Sequence, residues 1–338
     1  MTETTPRPMP YRDIAVVGAG AWGSALAAVA ASGGHAVTLW AREADVVASV
    51  ASSHENTRFL PGITLPDLVE ATGDLAQAAR ADAILLAVPA QNLRATLKIL
   101  GPQIKAGTPV VLCAKGIENG SGLLLTEILA EEAPSAELAI LSGPSFARDV
   151  ARGMPTAIAV AARKEIAVRL QMTLGQAPGF RPYVTEDLTG VALGGAAKNV
   201  YALACGMVEG AGFGESARAG LLARSFAELL RLGGAIGAKP ETLMGLSGLG
   251  DLVLTATSMS SRNFAFGAHI GEGKPLRAML APSQPLAEGA ATAPALVARG
   301  ARHGVELPVA EAVADVLAGK LDVTRAADRL LSRPFRAE

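Results

Sequence analysis

The sequence predicts an α/β protein in which a domain built on a parallel sheet is followed by an all-α domain. The first observation is IAVVGAGAWGSALA at residues 14–27, which combines a buried strand, a glycine turn and the start of a helix. The second is that short apolar runs alternate with helical patterns up to about residue 162. The third is that only helical periodicity continues from about Asp187 onward. Together they indicate a parallel sheet covered by helices, then a separate helical domain.

The glycine turn has the spacing GxGxxG, at Gly18, Gly20 and Gly23. Gly18 permits a tight turn, Gly20 lets the backbone come close to a pyrophosphate, and Gly23 lets the helix pack near its strand. The N-terminus of the helix then faces the anion. The strand before the turn and the helix after it favour a Rossmann-type nucleotide site over an ordinary glycine turn. The predicted cofactor is therefore a dinucleotide.

The chain has 338 residues, which is enough for two domains that each bury a core. We predict a disordered tail over 1–11, a dinucleotide-binding Rossmann domain over 12–186 and a helical substrate-binding domain over 187–338. The boundary falls in GQAPGFRPYVTED, where the glycines and prolines are typical of a loop.

Composition limits the classes of partner. The net charge is −1, so the chain has no general basic field for nucleic acid or an anionic membrane, and a small-molecule site is expected. The cysteines Cys113 and Cys205 are far apart, which argues against a disulfide scaffold or a CxxC metal site. A reducing, cytoplasmic location is expected. We see no signal peptide and no apolar run long enough for a membrane helix.

Further strands and helices are predicted between the glycine turn and residue 162. Short apolar runs predict these strands. Each run ends at residues able to face a ligand, as expected because parallel sheets bind ligands at the carboxyl ends of their strands. The strands lie in 35–40, 81–91, 108–118, 137–153 and 156–162, the loop 54–66 interrupts them, and 122–133 is an amphipathic helix. After residue 162 no further strand is predicted. In the second domain, 215–237 is a long helix.

The end of the second strand is expected to meet the adenosine ribose. An NAD-selective site usually has an acidic residue here, whereas this chain has Ala41, Arg42 and Glu43. Arg42 is therefore either a ligand for the 2′-phosphate of NADP(H) or a solvated surface arginine.

Reduction of a carbonyl by a nicotinamide cofactor also needs a proton donor. No tyrosine is followed four positions later by a lysine, so the short-chain dehydrogenase arrangement is absent, as is metal-ligand spacing. His54 and His269 lack an obvious carboxylate to orient them, and His35 and His303 are expected in a turn and a loop. Lys115 follows a strand, where a lysine is either a site residue or an ordinary surface residue.

A better donor is Lys198, which lies in the apolar helix LTGVALGGAAKNVYALACG at 188–206. Small residues before it thin one face of the helix, so a ligand or another backbone can approach. Lost hydration lowers the pKa of such a lysine toward the range useful for acid and base catalysis. The alternative is a lysine that extends to solvent beside a close helix contact.

A second polar cluster lies within 244–267. Asp251 stands between leucines, and its carboxylate needs a cation such as Lys198 to be tolerated there. Ser261, Arg262 and Asn263 resemble the first turn of a helix, which is either a phosphate seat or a simple cap with a surface arginine. Glu288 begins a small-residue helix and contacts a ribose or caps the helix.

These stretches together resemble the bacterial NAD(P)-dependent glycerol-3-phosphate dehydrogenases, from about Ile14 to about residue 330. The matching pieces occur in the order of the family: GAGAWG, LW before Arg42, FLPG, AVPA, AKGIE, SGPSFA, GGAAKN, GLGDLVLT, SRN and AEG. The resemblance implies reduction of dihydroxyacetone phosphate to sn-glycerol 3-phosphate for phospholipid synthesis. It also implies a cytoplasmic homodimer that uses NADP(H), NAD(H) or both, with no metal.

The resemblance also implies roles for individual residues. Lys198 is the acid and base catalyst, and in the mechanism that we expect Asp251 orients it. The substrate would contact Lys115, Gly143, Ser145, Asp251, Ser261, Arg262 and Asn263. The cofactor would contact Gly18, Gly20, Ala21, Trp22, Gly23, Arg42, Lys115, Ala147, Arg262, Leu286 and Glu288.

The chain departs from the family pattern at two positions. Ala21 stands where the family often has serine, which removes a hydroxyl contact to the pyrophosphate. Phe264 stands where a second arginine is frequent. Two other functions stay open: a relative of the β-hydroxyacid or sugar-acid dehydrogenases, which also carry a catalytic lysine on this helix, and a redox sensor that binds NADPH without turnover.

Overall fold

The computed structural model describes residues 9–279 and 287–334 of the chain. The chain divides into two compact units. The first, which we call the sheet unit, contains the chain up to Ala114 and Leu125–Leu188. The second, the helical unit, contains Lys115–Leu124 and the chain from Thr189 onward. Lys115–Leu124 thus groups with the helices although it lies within the range predicted for the Rossmann domain.

The sheet unit is built on one eight-stranded sheet with the order β3-β2-β1-β4-β5-β6-β7-β8. The strands are β1 Asp13–Val17, β2 Ala36–Trp40, β3 Val69–Thr72, β4 Ala83–Leu86, β5 Pro109–Leu112, β6 Glu137–Ser142, β7 Thr156–Ala162 and β8 Phe180–Thr185. Its helices are α1 Ala21–Ser32, α2 Ala44–Ser53, α3 Leu75–Ala78, α4 Leu93–Leu100, α5 Leu125–Glu132, α6 Ala147–Ala151 and α7 Lys164–Leu174. The strand order reverses between β1 and β4, where a dinucleotide binds in folds of this kind.

The predicted fold class is confirmed, with one difference in the sheet. Every pair of neighbouring strands is parallel except β6 and β7, which run antiparallel. The connection between them contains only the five-residue helix α6, and an antiparallel pair needs no long crossover.

Two strands were missed at the edges of the sheet. β8 lies in the stretch predicted to be a loop, and the prediction that strands cease after residue 162 is wrong. Its Pro182 obscured the pattern, but an edge strand tolerates a proline because one side of its backbone is unpaired. β3 has four residues, VEAT, only one of them fully buried, so its apolar signal is weak.

The first described residues also differ from the prediction of a disordered tail over 1–11. Tyr11 is buried, and its backbone N–H donates to Thr173 Oγ1 at 3.0 Å. The guanidinium of Arg169 stacks on its ring, 3.9 Å from the centroid. Tyr11 therefore packs as part of the sheet unit, and residues 1–8 lie outside the described chain.

The helical unit is organised around α8 Leu188–Gly210, which is buried over nearly its whole length. The remaining helices are α9 Glu215–Ala235, α10 Pro240–Met244, α11 Asp251–Ala256, α12 Arg262–Gly271, α13 Leu276–Met279, α14 Glu288–Arg302, α15 Pro308–Leu317 and α16 Val323–Leu331. Helix α8 is long and apolar enough to cross a membrane, so the expectation that no apolar run reaches this length is wrong, but 94% of its apolar window is buried within the protein. Its composition is therefore that of a core helix.

A buried carboxylate joins α9 to α15. Glu228 accepts hydrogen bonds from Val309 N at 2.7 Å and from Ala310 N at 3.3 Å, which satisfies backbone donors of the first turn of α15. Burial raises the pKa of Glu228 to about 7, although these hydrogen bonds oppose the rise.

The segment Lys115–Leu124 is held on α14 by two arginines. Ile117 and Leu124 form an antiparallel bridge that closes the segment into a hairpin. Arg299, which is buried, donates to Gly122 O at 3.1 Å, and Arg302 donates to Ser121 O at 2.9 Å. The hairpin is thereby fixed within the helical unit, with Lys115 at its beginning.

Candidate active site

In the sheet unit, the glycine turn has the geometry that its spacing predicts. Gly18 has φ +110°, which favours glycine, and a Cβ there would lie 2.9 Å from the backbone carbon of Ala87 on the neighbouring chain segment after β4. A Cβ on Gly23 would collide with Gly18 O. These two glycines are required by the fold itself.

Gly20 is different, and it tests whether the residues present fit a dinucleotide. A Cβ on Gly20 would meet no heavy atom within 4 Å, so the space above its backbone is open. Gly20 is also the N-cap of α1, whose cap has no side-chain hydrogen bond. The first-turn N–H groups of a helix with such a cap suit an anion. Trp22 Nε1 is buried and has no hydrogen-bond partner within the described chain. The turn therefore fits a pyrophosphate.

Arg42 follows β2 and is 72% exposed. Its Nε and Nη2 donate to Glu43 Oε1 at 3.2 Å and 2.8 Å. Trp40 at the end of β2 donates from Nε1 to Gly73 O at 3.1 Å, which fixes the strand end beside it. Arg42 is thus in solvent, and within the described residues its guanidinium is held by an exposed ion pair alone, which a ligand phosphate can replace at low cost.

Three predicted site residues follow β6 in the sheet unit. Gly143 has φ +155°, and a Cβ there would lie 3.1 Å from Ile158 Cα on β7, so the turn passes very close to its neighbour. Ser145 Oγ donates to Gly143 O at 3.0 Å. Ala147 begins α6 and packs against the apolar core of the unit. The three residues therefore lie in one turn at the carboxyl end of β6.

In the helical unit, two ammonium groups share one buried carboxylate. Lys198 Nζ on α8 donates to Asp251 Oδ1 at 2.8 Å, and Lys115 Nζ donates to Asp251 Oδ2 at 2.6 Å. The side chain of Asp251 is only 1% exposed, compared with 10% for Lys198 and 15% for Lys115. The contact predicted between Lys198 and Asp251 is confirmed. With two cations and one anion, this ammonium cluster carries a net positive charge.

Thr255 completes the surroundings of Lys198. Lys198 Nζ donates to Thr255 Oγ1 at 2.8 Å, and the hydroxyl in turn donates to Asp251 Oδ1 at 3.2 Å. An ammonium group has three N–H donors, and these contacts use two of them. The third is left to meet an acceptor on a ligand, so the lysine is oriented as well as stabilised.

Electrostatics put Lys198 in the range where it can exchange a proton. Burial lowers the pKa of Lys198 to about 8; Asp251 opposes this decrease, and the charge of Lys115 adds to it. Burial by itself would raise the pKa of Asp251, but the two lysines hold it below its ordinary value. The carboxylate therefore stays ionised while the ammonium can lose its proton near neutral pH.

The small residues before Lys198 serve helix packing at one position at least. A Cβ on Gly194 would lie 2.7 Å from Ser247 O, so α8 is in direct backbone contact with the π-helical turn Leu246–Gly250 that precedes α11. This close contact brings Asp251 and Thr255 within reach of Lys198.

The predicted helix start at 261–263 is confirmed. Ser261 caps α12 by accepting from Phe264 N at 3.2 Å, and Arg262 is an exposed first residue. Asn263 is buried, and its amide links three elements. It donates to Asn199 Oδ1 on α8 and accepts from Gly289 N on α14, both at 2.9 Å. Phe264, at a position where the family often has arginine, is a buried core residue.

Two further predicted cofactor contacts are Leu286 and Glu288. Glu288 is the first residue of α14, as predicted. Leu286 lies outside the described residues. Among the residues that the structure describes, no group of three or more histidines, cysteines or carboxylates is arranged to hold a metal ion.

Sequence reasoning did not identify the roles of Thr255 and Asn199, or the second lysine on Asp251. Thr255 lies four residues after Asp251 on α11, so the helical spacing of acid and hydroxyl was a usable signal. Lys115 and Asp251 are 136 positions apart, and no local pattern joins them.

Comparison with known proteins shows a match along nearly the whole chain. Residues 13–168 match the family profile described as NAD-dependent glycerol-3-phosphate dehydrogenase N-terminus, and residues 187–328 match the corresponding C-terminus. A relative from Parvibaculum lavamentivorans, named glycerol-3-phosphate dehydrogenase [NAD(P)+], is 57% identical over 97% of this chain and 98% of its own length.

Solved structures show the same similarity. A crystal structure of glycerol-3-phosphate dehydrogenase from Coxiella burnetii has a TM-score of 0.90 and 37% identity, and covers 96% of this chain and 99% of its own. A ketopantoate reductase from Ralstonia eutropha has a TM-score of 0.59 over 94% of this chain, with 16% identity. The second similarity is one of fold alone.

Proposed function

The chain belongs to the NAD-dependent glycerol-3-phosphate dehydrogenase family, and on that premise we propose that it reduces dihydroxyacetone phosphate to sn-glycerol 3-phosphate with Lys198 as general acid. It is an NAD(P)-dependent oxidoreductase acting on glycerol 3-phosphate. The observation that carries the proposed mechanism is the oriented ammonium of Lys198, held by Asp251 and Thr255 at 2.8 Å each.

The glycine turn would hold the cofactor, whose nicotinamide would supply the hydride for C2 of the substrate. Lys198 supplies the proton: its ammonium donates to the C2 oxygen as negative charge develops there, so a carbonyl becomes an alcohol. Asp251 and Thr255 hold the ammonium in one orientation before and after the transfer. Because burial brings the pKa of Lys198 to about 8, the neutral amine can also accept the proton in the reverse reaction.

Asp251 acts through Lys198 in this scheme. Burial and the positive charge of Lys115 both lower the pKa of Lys198, and the carboxylate of Asp251 opposes them, so that the lysine can stay protonated. The net positive charge of the cluster also favours an anionic substrate and an oxyanion as it forms.

The phosphate of the substrate is proposed to bind at the start of α12. Arg262 is exposed there, and the N-terminus of a ten-residue helix adds backbone donors. Lys115, Ser261 and Asn263 are proposed as further substrate contacts from the helical unit, and Gly143 and Ser145 from the sheet unit. The side-chain amide of Asn263 has two hydrogens. One is donated to Asn199, and the other is not used by a hydrogen bond within the described residues.

One assay tests the proposed activity against its alternatives. Oxidation of NADPH and of NADH is followed spectrophotometrically with dihydroxyacetone phosphate, and with 2-keto and 3-keto acids as comparison substrates. Turnover with dihydroxyacetone phosphate supports the proposal. Turnover with keto acids only would indicate a hydroxyacid dehydrogenase, and cofactor binding without turnover would indicate a redox sensor.

We further propose that NADPH is used at least as well as NADH, because Arg42 replaces the acid that usually binds the ribose 2′-hydroxyl. Arg42→Ala should raise the KM for NADPH several-fold and leave the KM for NADH unchanged. Initial rates with each cofactor measure this. Equal changes for both cofactors, or none, would make Arg42 a surface residue.

The biological setting is proposed from the family alone. We propose a cytoplasmic homodimer that feeds glycerophospholipid synthesis. Sedimentation of the purified protein tests the dimer, and a monomer at micromolar concentration would contradict it. Growth of a depleted strain with and without added glycerol 3-phosphate tests the pathway role.

A further inference from the structure

A fully buried asparagine lies behind the glycine turn of the sheet unit. Asn56 belongs to the loop between α2 and β3, and none of its surface is exposed. Its Nδ2 donates to Ala19 O at 2.7 Å and to Ser24 Oγ at 2.8 Å. Its Oδ1 accepts from Phe59 N at 3.1 Å. The carboxamide thus joins its own loop to the turn and to α1.

The carbonyl that Asn56 holds belongs to the peptide between Ala19 and Gly20. The described chain contains no cis peptide bond, so the C=O of Ala19 and the N–H of Gly20 point in opposite directions. A hydrogen bond that fixes the carbonyl therefore also fixes the direction of the N–H. Gly20 N donates no hydrogen bond within the described residues, and the space above Gly20 is open.

The orientation of this peptide decides whether the turn attracts or repels an anion. With the carbonyl turned to Asn56, the Gly20 N–H is directed away from the buried asparagine. A flipped peptide would present the partial negative charge of the carbonyl oxygen instead. Glycine lowers the cost of such a flip, because it accepts backbone angles that other residues avoid. Something outside the turn must therefore select one orientation.

We propose that Asn56 is a positioning residue for the cofactor, whose carboxamide locks the Ala19–Gly20 peptide so that the Gly20 N–H faces the pyrophosphate. The inference rests on the use of NAD(P) as cofactor. It adds a residue that lies 37 positions from the turn and outside the GxGxxG pattern.

A carboxamide suits this position better than other side chains. The site needs two donors, for Ala19 O and Ser24 Oγ, and one acceptor, for Phe59 N. Asparagine supplies this set, whereas an aspartate of the same shape accepts but does not donate when ionised. Asn56→Asp therefore keeps the bond to Phe59 and removes the donor to Ala19.

The test measures binding of ligands that differ in the pyrophosphate. ADP-ribose contains the pyrophosphate, and adenosine has the same base and sugar without it. Titration calorimetry of the full-length protein, with competition against NADPH for the weaker ligand, gives both dissociation constants. Asn56→Ala and Asn56→Asp should raise the Kd for ADP-ribose at least about tenfold, as expected for a lost hydrogen bond to a charged group. The Kd for adenosine should change less than about twofold.

Ser24→Ala is the matched control. It removes the other acceptor of the same amide, together with the long hydrogen bond of 3.5 Å that Ser24 Oγ donates to Ala19 O, and leaves the bond of 2.7 Å from Asn56 to Ala19 O in place. Ser24→Ala should lower the melting temperature without raising the Kd for ADP-ribose. A loss of ADP-ribose affinity equal to that of Asn56→Ala would contradict the inference, because it would show that the bond from Asn56 to Ala19 O does not by itself hold the peptide.

A measurement on the wild-type protein covers the case in which the Asn56 variants do not fold. With glycine labelled by 15N, the amide proton of Gly20 should move downfield when ADP-ribose binds, and not when adenosine binds. An unmoved Gly20 signal, or folded Asn56 variants with unchanged ADP-ribose affinity, would overturn the inference. If the wild-type protein binds neither NADPH nor NADH, the proposed function itself fails.

Discussion

The glycine turn and the ammonium cluster are built in opposite ways. The turn uses backbone groups of residues 18–23, which are contiguous in the chain, and its close contacts are those that glycine allows. The cluster uses side chains that are far apart in sequence, with 53 positions between Lys198 and Asp251 and 136 between Lys115 and Asp251. The turn is therefore sensitive to added volume, and the cluster is sensitive to changed charge.

Because of this difference, substitutions should separate cofactor binding from proton transfer in experiments. Substitutions in the turn should alter cofactor affinity or folding and leave the chemistry of the proton unchanged. Substitutions in the cluster should alter turnover and its pH dependence while the cofactor still binds. The predictions that follow test whether the two regions can be separated in this way.

The largest effect is expected at Lys198, the proposed proton donor. Lys198→Ala should lower kcat by at least about a hundredfold, the usual scale for loss of a positioned acid, while the Kd for NADPH changes little. Steady-state kinetics and fluorescence titration with NADPH measure the two quantities. Lys320→Ala is a matched control, because Lys320 is an exposed lysine of the same unit that pairs with Asp315. Near-normal turnover of Lys198→Ala would remove the assignment.

Within the turn, Gly20 and Gly23 should respond differently to the same added methyl group. Gly23→Ala places a Cβ against Gly18 O and should lower the stability of the fold by about 1–3 kcal/mol or more. Gly20→Ala has open space around its Cβ, so its melting temperature should stay near wild type while the Kd for NADPH rises at least about tenfold. Calorimetric titration and thermal unfolding separate the outcomes. Unchanged NADPH affinity in Gly20→Ala would show that the pyrophosphate does not approach this backbone.

The substrate phosphate offers a test in the helical unit. Arg262→Ala should reduce kcat/KM for dihydroxyacetone phosphate at least about tenfold, because a charge-assisted hydrogen bond is lost. Activity with unphosphorylated dihydroxyacetone, which is expected to be poor, should change little. Cofactor is kept saturating, since Arg262 is also a predicted cofactor contact. Equal losses with both substrates would mean that Arg262 does not bind the phosphate.

The smallest expected effect is a shift of the pH profile. In the proposed mechanism reduction needs protonated Lys198, so kcat should fall as the pH rises through the pKa of about 8. The charge of Lys115 lowers this pKa, so Lys115→Met should raise the pKa of Lys198. The alkaline limb of the kcat profile should then move to higher pH by about half a unit or more. The limb is measured with dihydroxyacetone phosphate saturating, because Lys115 is also a proposed substrate contact. A limb that stays or moves to lower pH would contradict the electrostatic role of Lys115.

Much of the fold was predictable because its signals are local. The strands β1, β4 and β5 are short apolar runs, α8 and α9 are long helical patterns, and a helix starts after Ser261 as predicted. The pairing of Lys198 with Asp251 was also predictable, because a carboxylate among leucines requires a cation. Strand β8 was missed because an edge strand with a proline lacks the apolar pattern of a buried one.

By itself the sequence determined the glycine turn, the change from sheet to helices and the need of Asp251 for a counterion. Each of these follows from neighbouring residues and from the cost of burying a charge. Only the tertiary structure decided that Lys115 groups with the helical unit, that Thr255 accepts a hydrogen bond from Lys198 and that Asn56 donates to the carbonyl of Ala19. These contacts join distant segments whose approach depends on the packing of whole elements, such as Gly194 against Ser247, and no spacing along the chain encodes that packing.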